Sequence, residues 1–593
     1  MTIRREEPVS GHPNGRYWGS DSIADCLRAM RVPWLALNPG ASYRGLHDSL
    51  VNHLGNEAPQ MLLCLHEEVA IAIAQGYAKA SGRMMGAIVH SNVGLMHASM
   101  AVFNAWCDRV PMLILGATGP WDAARRRPWI DWIHTASDQG ALVRDYTKWD
   151  NQPGSIAAAV EALLRGSQIS QTAPRGPVYV NLDAALQESQ LAAPVAIPDP
   201  VRYVAPSASL PSPVDIDRAA ALLSMSERPV ILLGRVSRSE ADWARRIELA
   251  EKLQAQVITD LKNAAGFPTA HPQHVGPPGA FLSADACAAI RAADTILMLD
   301  WVDPGGVFRQ ALSGDACSAK VIHVSLDMHL HRGWSMDGGS LPPADVYMLC
   351  EPDAAVAALL AACTNRPKRT WPGRQPLAPL PDDDQVSLRQ LADVLDRAAT
   401  AEELCIVRLP LGWNGAYRDF SAPMDYLGAD GGGGLGAGPG NAVGVALALR
   451  DDASSRVPVA LLGDGDFLMG CTAVWTAVRY GIPVLIIVCN NHSFFNDELH
   501  QERVARERSR PVENRWIGQR MTEPEIDLAK MAESMGAVGI GPVVRAQDLP
   551  AAISRGLAEV RAGKVCVIDA SVVPGYDANM SGQSSSQSAV HKR

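Results

Sequence analysis

Residues 461–497 read LLGDGDFLMGCTAVWTAVRYGIPVLIIVCNNHSFFND. The apolar run VPVALLG ends in Gly463-Asp464-Gly465, and a second run, IPVLIIVC, ends in Asn490-Asn491. Between them, TAVWTAVRYG has a helical pattern. Short apolar runs separated by helices read as parallel strands covered on both faces. In such a sheet, ligands collect at the carboxyl ends of the strands. The first strand therefore delivers Asp464 to that edge, and the second delivers Asn491 beside it. Glycines flanking Asp464 let the backbone approach a ligand closely. One carboxylate and one amide oxygen make a hard, oxygen-rich site of low charge, which suits Mg²⁺ and leaves positions for phosphate oxygens and water. The bland meaning of the same residues is a strand end with a turn and a helix cap.

The same alternation runs along the chain. MLLCL, GAIVH, PMLILGA and GPVYVNL form one set, PVILLG, AQVITD, TILMLD and KVIHVSL a second, and ELCIVR, VPVALLG, PVLIIVCNN and KVCVIDAS a third. Proline-rich stretches near 191–215 and 364–384 separate the sets and read as linkers. The expected fold is α/β, with three doubly wound parallel-sheet domains at 1–190, 213–365 and 386–576. The first and third sets resemble each other in layout. A polar, Ser-rich segment, 577–593, reads as a mobile tail.

A net charge of −10 disfavours nonspecific nucleic-acid binding. Charged residues interrupt every apolar run short of a membrane span, and no apolar core follows the charged N-terminus, so neither a membrane anchor nor a secretory signal is expected. The eleven cysteines are scattered without a CxxC, which reads as reduced thiols in a cytoplasmic protein.

Gly-Asp-Gly, then 24 residues, then Asn-Asn, with strand, helix and strand between, resembles the signature of thiamin-diphosphate (ThDP) enzymes. The resemblance implies ThDP and Mg²⁺ as cofactors. Asp464, Asn491 and the Ser493 carbonyl would hold the metal, with Gly463 and Gly465 beside the diphosphate. Upstream, DGGGGLGAGPGNAVGVALAL resembles the family's glycine-rich segment, in which a large apolar residue wedges under the cofactor. That residue is Leu435, between Gly434 and Gly436. LLCLHEEVAIAIAQGYAKASG resembles the family segment whose Glu bonds the aminopyrimidine ring and activates the cofactor for loss of its C2 proton. Counting back from Gly76-Tyr77-Ala78 gives Glu67 that role, and leaves Glu68 as a helix-start residue. Domain order and motifs across the chain resemble the acetohydroxyacid synthase, benzoylformate decarboxylase and oxalyl-CoA decarboxylase group. In that group the cofactor lies between the first domain of one subunit and the third of another, so a homodimer or homotetramer is expected.

Three reactions fit this group. NPGASYRGLHDSL and IVHSNVGLMHASMAVFNAWCDRVPMLI resemble benzoylformate decarboxylase, which makes Ser42 a substrate-binding residue, with a one-residue shift, and His90 a catalytic one. That enzyme's second histidine, in the middle domain, has no match near LDWVDPGGVFRQ. The FAD and herbicide signatures of acetohydroxyacid (acetolactate) synthase are not evident in the same stretch. A 2-hydroxyacyl-CoA lyase or oxalyl-CoA-type enzyme is the third reading. It rests on Arg503, Arg506, Arg508, Arg510, Arg515 and Arg520, of which Arg508 and Arg510 are the candidates for phosphate binding. Glu498, in the same segment, would serve as a proton shuttle near the cofactor. A solvated helix face is the ordinary meaning of such a run. The leading expectation is a C–C bond lyase or carboligase that decarboxylates a 2-oxo acid. Aldehyde or acyl-CoA substrates, a synthase-like transferase and a non-catalytic regulatory relative are the alternatives. Intact Glu67, Asp464 and Asn491 favour an enzyme.

Overall fold

The apolar runs become buried strands because their Val, Ile and Leu side chains are covered from both faces of each sheet. The computed structural model describes residues 6–9, 15–327, 341–372, 377–380, 384–399, 403–429 and 431–575, so the 577–593 tail lies outside the described residues. Across the first sheet the strands run Gln60–Leu63, Trp34–Leu37, Met85–Ile88, Met112–Thr118, Pro177–Asp183 and Trp149–Asn151. The second runs Gln256–Ile258, Pro229–Leu233, Thr295–Leu299, Lys320–Val324 and Val346–Met348. The third runs Leu404–Arg408, Val457–Gly463, Leu485–Asn490, Cys566–Ser571 and Val538–Val543. All neighbours in these three sheets are parallel, and helices connect most of them. The protein is thus three parallel-sheet α/β domains.

The first and third sheets share one winding. If the edge strand Gln60–Leu63 is set aside, both place their strands in the same spatial order, with the penultimate strand in sequence on the outer edge. This is the structural counterpart of the likeness between the two outer blocks.

The outer domains are bound to each other within one chain. Helix Glu67–Ser81 lies against helix Ala437–Asp451 with almost no side chain between them. A Cβ at Gly444 would stand 2.0 Å from the Ile73 carbonyl oxygen, and one at Gly76 2.2 Å from the Asn441 carbonyl oxygen. Asp451 at the end of the second helix accepts hydrogen bonds from Trp34 Nε1 at 2.7 Å and Tyr77 Oη at 3.1 Å. Residues of both domains merge into one apolar cluster, including Ile71, Tyr77, Val443 and Leu447. Glu67 and the glycine-rich turn before Ala437 therefore sit at the starts of two helices packed against each other.

Candidate active site

Strands Val457–Gly463 and Leu485–Asn490 pair directly, with Gly463 opposite Cys489, so Asp464 and Asn491 leave the sheet side by side. The segment after Gly463 is a short helix, Asp464–Gly470, rather than a simple turn. Asp464 Oδ1 accepts the Gly465 N–H at 2.8 Å, and its Oδ2 accepts the Ser493 N–H at 3.1 Å. Asn491 Oδ1 accepts the same Ser493 N–H at 3.0 Å. The intervening His492 sits in the left-handed region, at φ 56°, a conformation costly for a non-glycine residue. Its N–H donates to Asn490 Oδ1 at 3.0 Å, and Asn490 in turn donates to Asp569 at 3.0 Å. A buried side-chain network thus holds the bend that carries Ser493 back to Asp464.

Burial pushes the Asp464 carboxyl up from its ordinary range, against the pull of the Gly465 and Ser493 N–H groups. A bound cation would offset that desolvation. Space for a ligand is also present: nothing lies within 4 Å of a Cβ built on Gly463, whereas one on Gly465 would meet the Phe494 ring at 2.7 Å. The glycine-rich turn is tied to the same place, because Asp466 Oδ1 accepts the N–H groups of Gly436 at 2.7 Å and Gly438 at 3.3 Å. Leu435, Gly463, Asp464, Asn491 and Ser493 line a cavity of about 1920 Å³ that opens toward the middle domain. A buried carboxylate, an amide oxygen and a carbonyl beside an uncovered glycine are the donors that a Mg²⁺–diphosphate requires.

Glu67 is buried and begins helix Glu67–Ser81, which His66 caps by accepting the Glu68 N–H at 3.2 Å. Its Oε2 is 3.1 Å from His97 Nδ1. A Cβ at Gly94 would stand 3.0 Å from its Oε1. Glu68 faces the other way, toward Gly436 and Asp466. Burial, and then the Asp466 charge, push its carboxyl up. His90 Nδ1 is 2.8 Å from Ser42 Oγ, so the two substrate-side candidates are in contact. His90 packs on the NPG loop at a point where a Cβ on Gly40 would collide with the ring at 2.6 Å. The His134 ring meets it edge-on, at 4.6 Å between centroids. Burial, and then His134, lower the His90 pKa, so His90 is held neutral.

Glu67 and His90 do not line the cavity of Asp464 and Leu435. The two ends nevertheless adjoin in one chain, because Glu68, next to Glu67, reaches Gly436 and Asp466. Sequence reasoning missed His97, His134 and Gly40. No fixed spacing links these residues to Glu67 or His90, and only the Gly of the NPG motif carried a local signal.

The segment after Ser493 differs from the expectation. Glu498 is fully buried and already committed: its oxygens pair with Arg520 at 2.9 Å and Arg515 at 3.3 Å, and one accepts the Ser493 hydroxyl at 2.6 Å. Burial pushes its carboxyl up, but the bonds from Arg520 and Ser493 and the two guanidinium charges outweigh it, leaving it below the usual carboxylate range. It braces the loop carrying Ser493 and is not on the cavity wall. Arg506 and Arg515 pair with Glu502. Arg508 and Arg510 are exposed and also outside the cavity lining.

A parallel-sheet protein with oxygen donors at two adjacent strand ends and a glutamate beginning a helix in a second, similarly wound domain is the architecture of a ThDP-binding enzyme. Family models bear this out in chain order. Residues 17–142 match the N-terminal TPP-binding domain of thiamine pyrophosphate enzymes, 216–330 their central domain and 411–570 their C-terminal TPP-binding domain. The chain belongs to the thiamine pyrophosphate enzyme family. It is 26% identical to a benzoylformate decarboxylase of Pseudomonas aeruginosa over 445 residues, 73% of this chain and 79% of that one. It is 24% identical to an acetolactate synthase large subunit of Lactococcus lactis over 533 residues, 85% of each. The fold matches the crystal structure of a benzoylformate decarboxylase from Polynucleobacter necessarius with a TM-score of 0.77 at 20% identity, covering 94% of this chain and 99% of that one. Among the described residues, no helix is long and apolar enough to cross a membrane.

Proposed function

We propose that the protein is a Mg²⁺- and ThDP-dependent lyase that decarboxylates a 2-oxo acid, with the capacity for carboligation that this chemistry brings. The observation that carries the reading is the His90–Ser42 contact on the Glu67 side, where Gly40 admits the imidazole ring. It resembles the benzoylformate decarboxylase arrangement. When bound, ThDP supplies the electron sink for the carbanion left by decarboxylation. Asp464, Asn491 and the Ser493 carbonyl would hold its metal, Gly463 and Gly465 would flank the diphosphate, and Leu435 between Gly434 and Gly436 would support the rings. Glu67 would exchange a proton with the cofactor's pyrimidine. His90, kept neutral and paired with Ser42, would donate or accept a proton at the substrate.

The cavity also suits an anion. Arg238 lies in its wall with no hydrogen-bond partner on its buried Nε, and burial and then Arg175 push its pKa down to about 10. Glu67 and Asp464 do not face one cavity in one chain, which supports a homodimer or homotetramer with each cofactor between two copies. Among the alternatives, the acyl-CoA reading has the least support, because Arg506, Arg515 and Arg520 are spent on Glu498 and Glu502. A cytoplasmic location fits eleven free cysteines. The deciding experiment is CO₂ release by purified protein with ThDP and Mg²⁺, over aromatic and aliphatic 2-oxo acids, with acyl-CoA thioesters and pyruvate condensation alongside. Release from an aryl 2-oxo acid supports the reading. Acetolactate formation as the sole reaction would replace it with the synthase.

A further inference from the structure

The contact between Glu67 and His97 asks for an explanation of its own. His97 comes from the middle of helix Asn92–Cys107, and its ring approaches the one carboxylate that the proposed chemistry needs. Three features set its geometry. First, His66 Nδ1 accepts the Glu68 N–H as the helix cap, so that nitrogen carries no proton. Burial lowers the His66 pKa, with the Glu67 charge opposing and His97 adding to the lowering, so His66 stays neutral. Second, the His66 and His97 rings stack nearly parallel, 17° apart with centroids at 5.0 Å, so a neutral ring backs His97 and fixes its plane. Third, the His97 side chain is 60% exposed while that of Glu67 is 9% exposed. Imidazole carries two nitrogens, and one of them can take a proton as the other releases one. A buried acid is therefore joined through Nδ1 to a ring that its own chain leaves largely uncovered, which gives it a path for protons to the water that reaches the site. On the other side, Gly94 adds no side chain against Glu67 Oε1, where a Cβ would stand 3.0 Å away.

We propose that His97 is the positioning and proton-relay residue of Glu67. Its Nδ1 holds Oε2, takes the proton that Glu67 gives up, and releases the Nε2 proton to water, leaving a carboxylate and a neutral ring; the reverse sequence reloads the acid. No oxidant or co-reactant enters this exchange. The inference rests on the ThDP reading of Glu67. Other titratable groups facing the pair are His66 on the stacked side, His90 across Gly94, and Tyr43, whose phenol is buried near Glu67 and bonded to the Asn38 carbonyl.

The test uses the full chain reconstituted with ThDP and Mg²⁺, without substrate. Deuterium exchange at the cofactor C2 is followed by quenched NMR, and ThDP affinity by calorimetry. His97→Gln keeps a hydrogen-bond donor at this position but cannot relay. It should bind ThDP within about threefold of wild type and exchange about 100-fold more slowly, at the lower end of general acid–base effects. His97→Ala should slow likewise, and added imidazole should restore a measurable part of the rate. The pH profile of exchange should flatten in both variants. Wild-type exchange in His97→Ala overturns the proposal. So does a loss matched by weakened ThDP binding and indifferent to imidazole, because that outcome marks a structural role. Failure of the wild type itself to bind ThDP would instead refute the family-based reading of Glu67.

Discussion

The Asp464 end and the Glu67 end of this molecule are built by different means. At the first, two adjacent strands stop together and backbone N–H groups position the donors: Gly465 and Ser493 bond Asp464, and Ser493 bonds Asn491. At the second, side chains from distant segments converge on a helix start: Ser42, His90, His97 and His134 surround Glu67 and the space beside it. Backbone-built sites are set by sheet register and vary little. Side-chain-built sites can exchange members while the fold stays the same. The proposed metal-diphosphate end is accordingly the part expected to vary least, and the histidine cluster the part expected to vary with substrate.

The largest effects should come from one change at each end. Glu67→Gln should retain ThDP and slow C2–H exchange by about 10²–10⁴-fold. Asp464→Ala, which removes the charged ligand, should weaken Mg²⁺-dependent ThDP binding by at least about 100-fold, above the usual cost of losing a mere supporting partner. Unchanged calorimetric affinity in Asp464→Ala would erase the distinction between the two ends. Next comes the joint between them. Gly444→Ala places a Cβ 2.0 Å from a backbone oxygen that cannot rotate away, so the helices must part. Denaturant unfolding should show a loss of about 1–3 kcal/mol, the usual cost of overpacking. A wild-type midpoint would mean the contact is loose.

A smaller effect concerns His90. Its folded-state pKa lies below the ordinary 6.5, so the native protein binds less proton there than the unfolded chain. Stability must then fall as pH drops below about 6.5, and His90→Asn removes that share. Comparing urea midpoints at about pH 7.5 and pH 5.5, wild type should lose more on acidification than the variant. Equal losses would mean that burial does not hold His90 neutral. Least of all, Arg508→Ala with Arg510→Ala should leave stability within about 0.5 kcal/mol, as exposed residues do, and leave free CoA without effect on turnover. CoA inhibition that the double variant relieves would restore the acyl-CoA reading.

Much of this was legible in the sequence, and unevenly so. The strands at 457–463 and 485–490 are apolar almost to their ends and lead directly into Asp464 and Asn491, so pattern and position agree. Among the strands that escaped notice, Val538–Val543, Val346–Met348 and Trp149–Asn151 lie at sheet edges, Trp34–Leu37 is short and internal, and Tyr17–Trp18 and Gln190–Leu191 form a separate two-residue pair. Val538–Val543 reads VGIGPV, too glycine-rich and broken by Pro542 to announce a strand, which an edge position tolerates. Glu67 could be singled out because a fixed nine-residue distance separates it from Gly76 on one helix. His97 and His134 had no such ruler. The arginine run could not be sorted from the sequence, which shows its charge but not that Arg506, Arg515 and Arg520 pair with Glu498 and Glu502.

The central claim is that these two ends complete one cofactor site only across two copies of the chain. Glu67→Gln and Asp464→Ala, each nearly inactive alone, should be co-expressed with different affinity tags, and the doubly tagged hybrid purified. If the claim holds, each hybrid dimer has one site with both defects and one with none, and about half of wild-type turnover returns. If a single chain supplies both ends of its own site, every site in the hybrid keeps one defect, and turnover stays at the level of the parent variants.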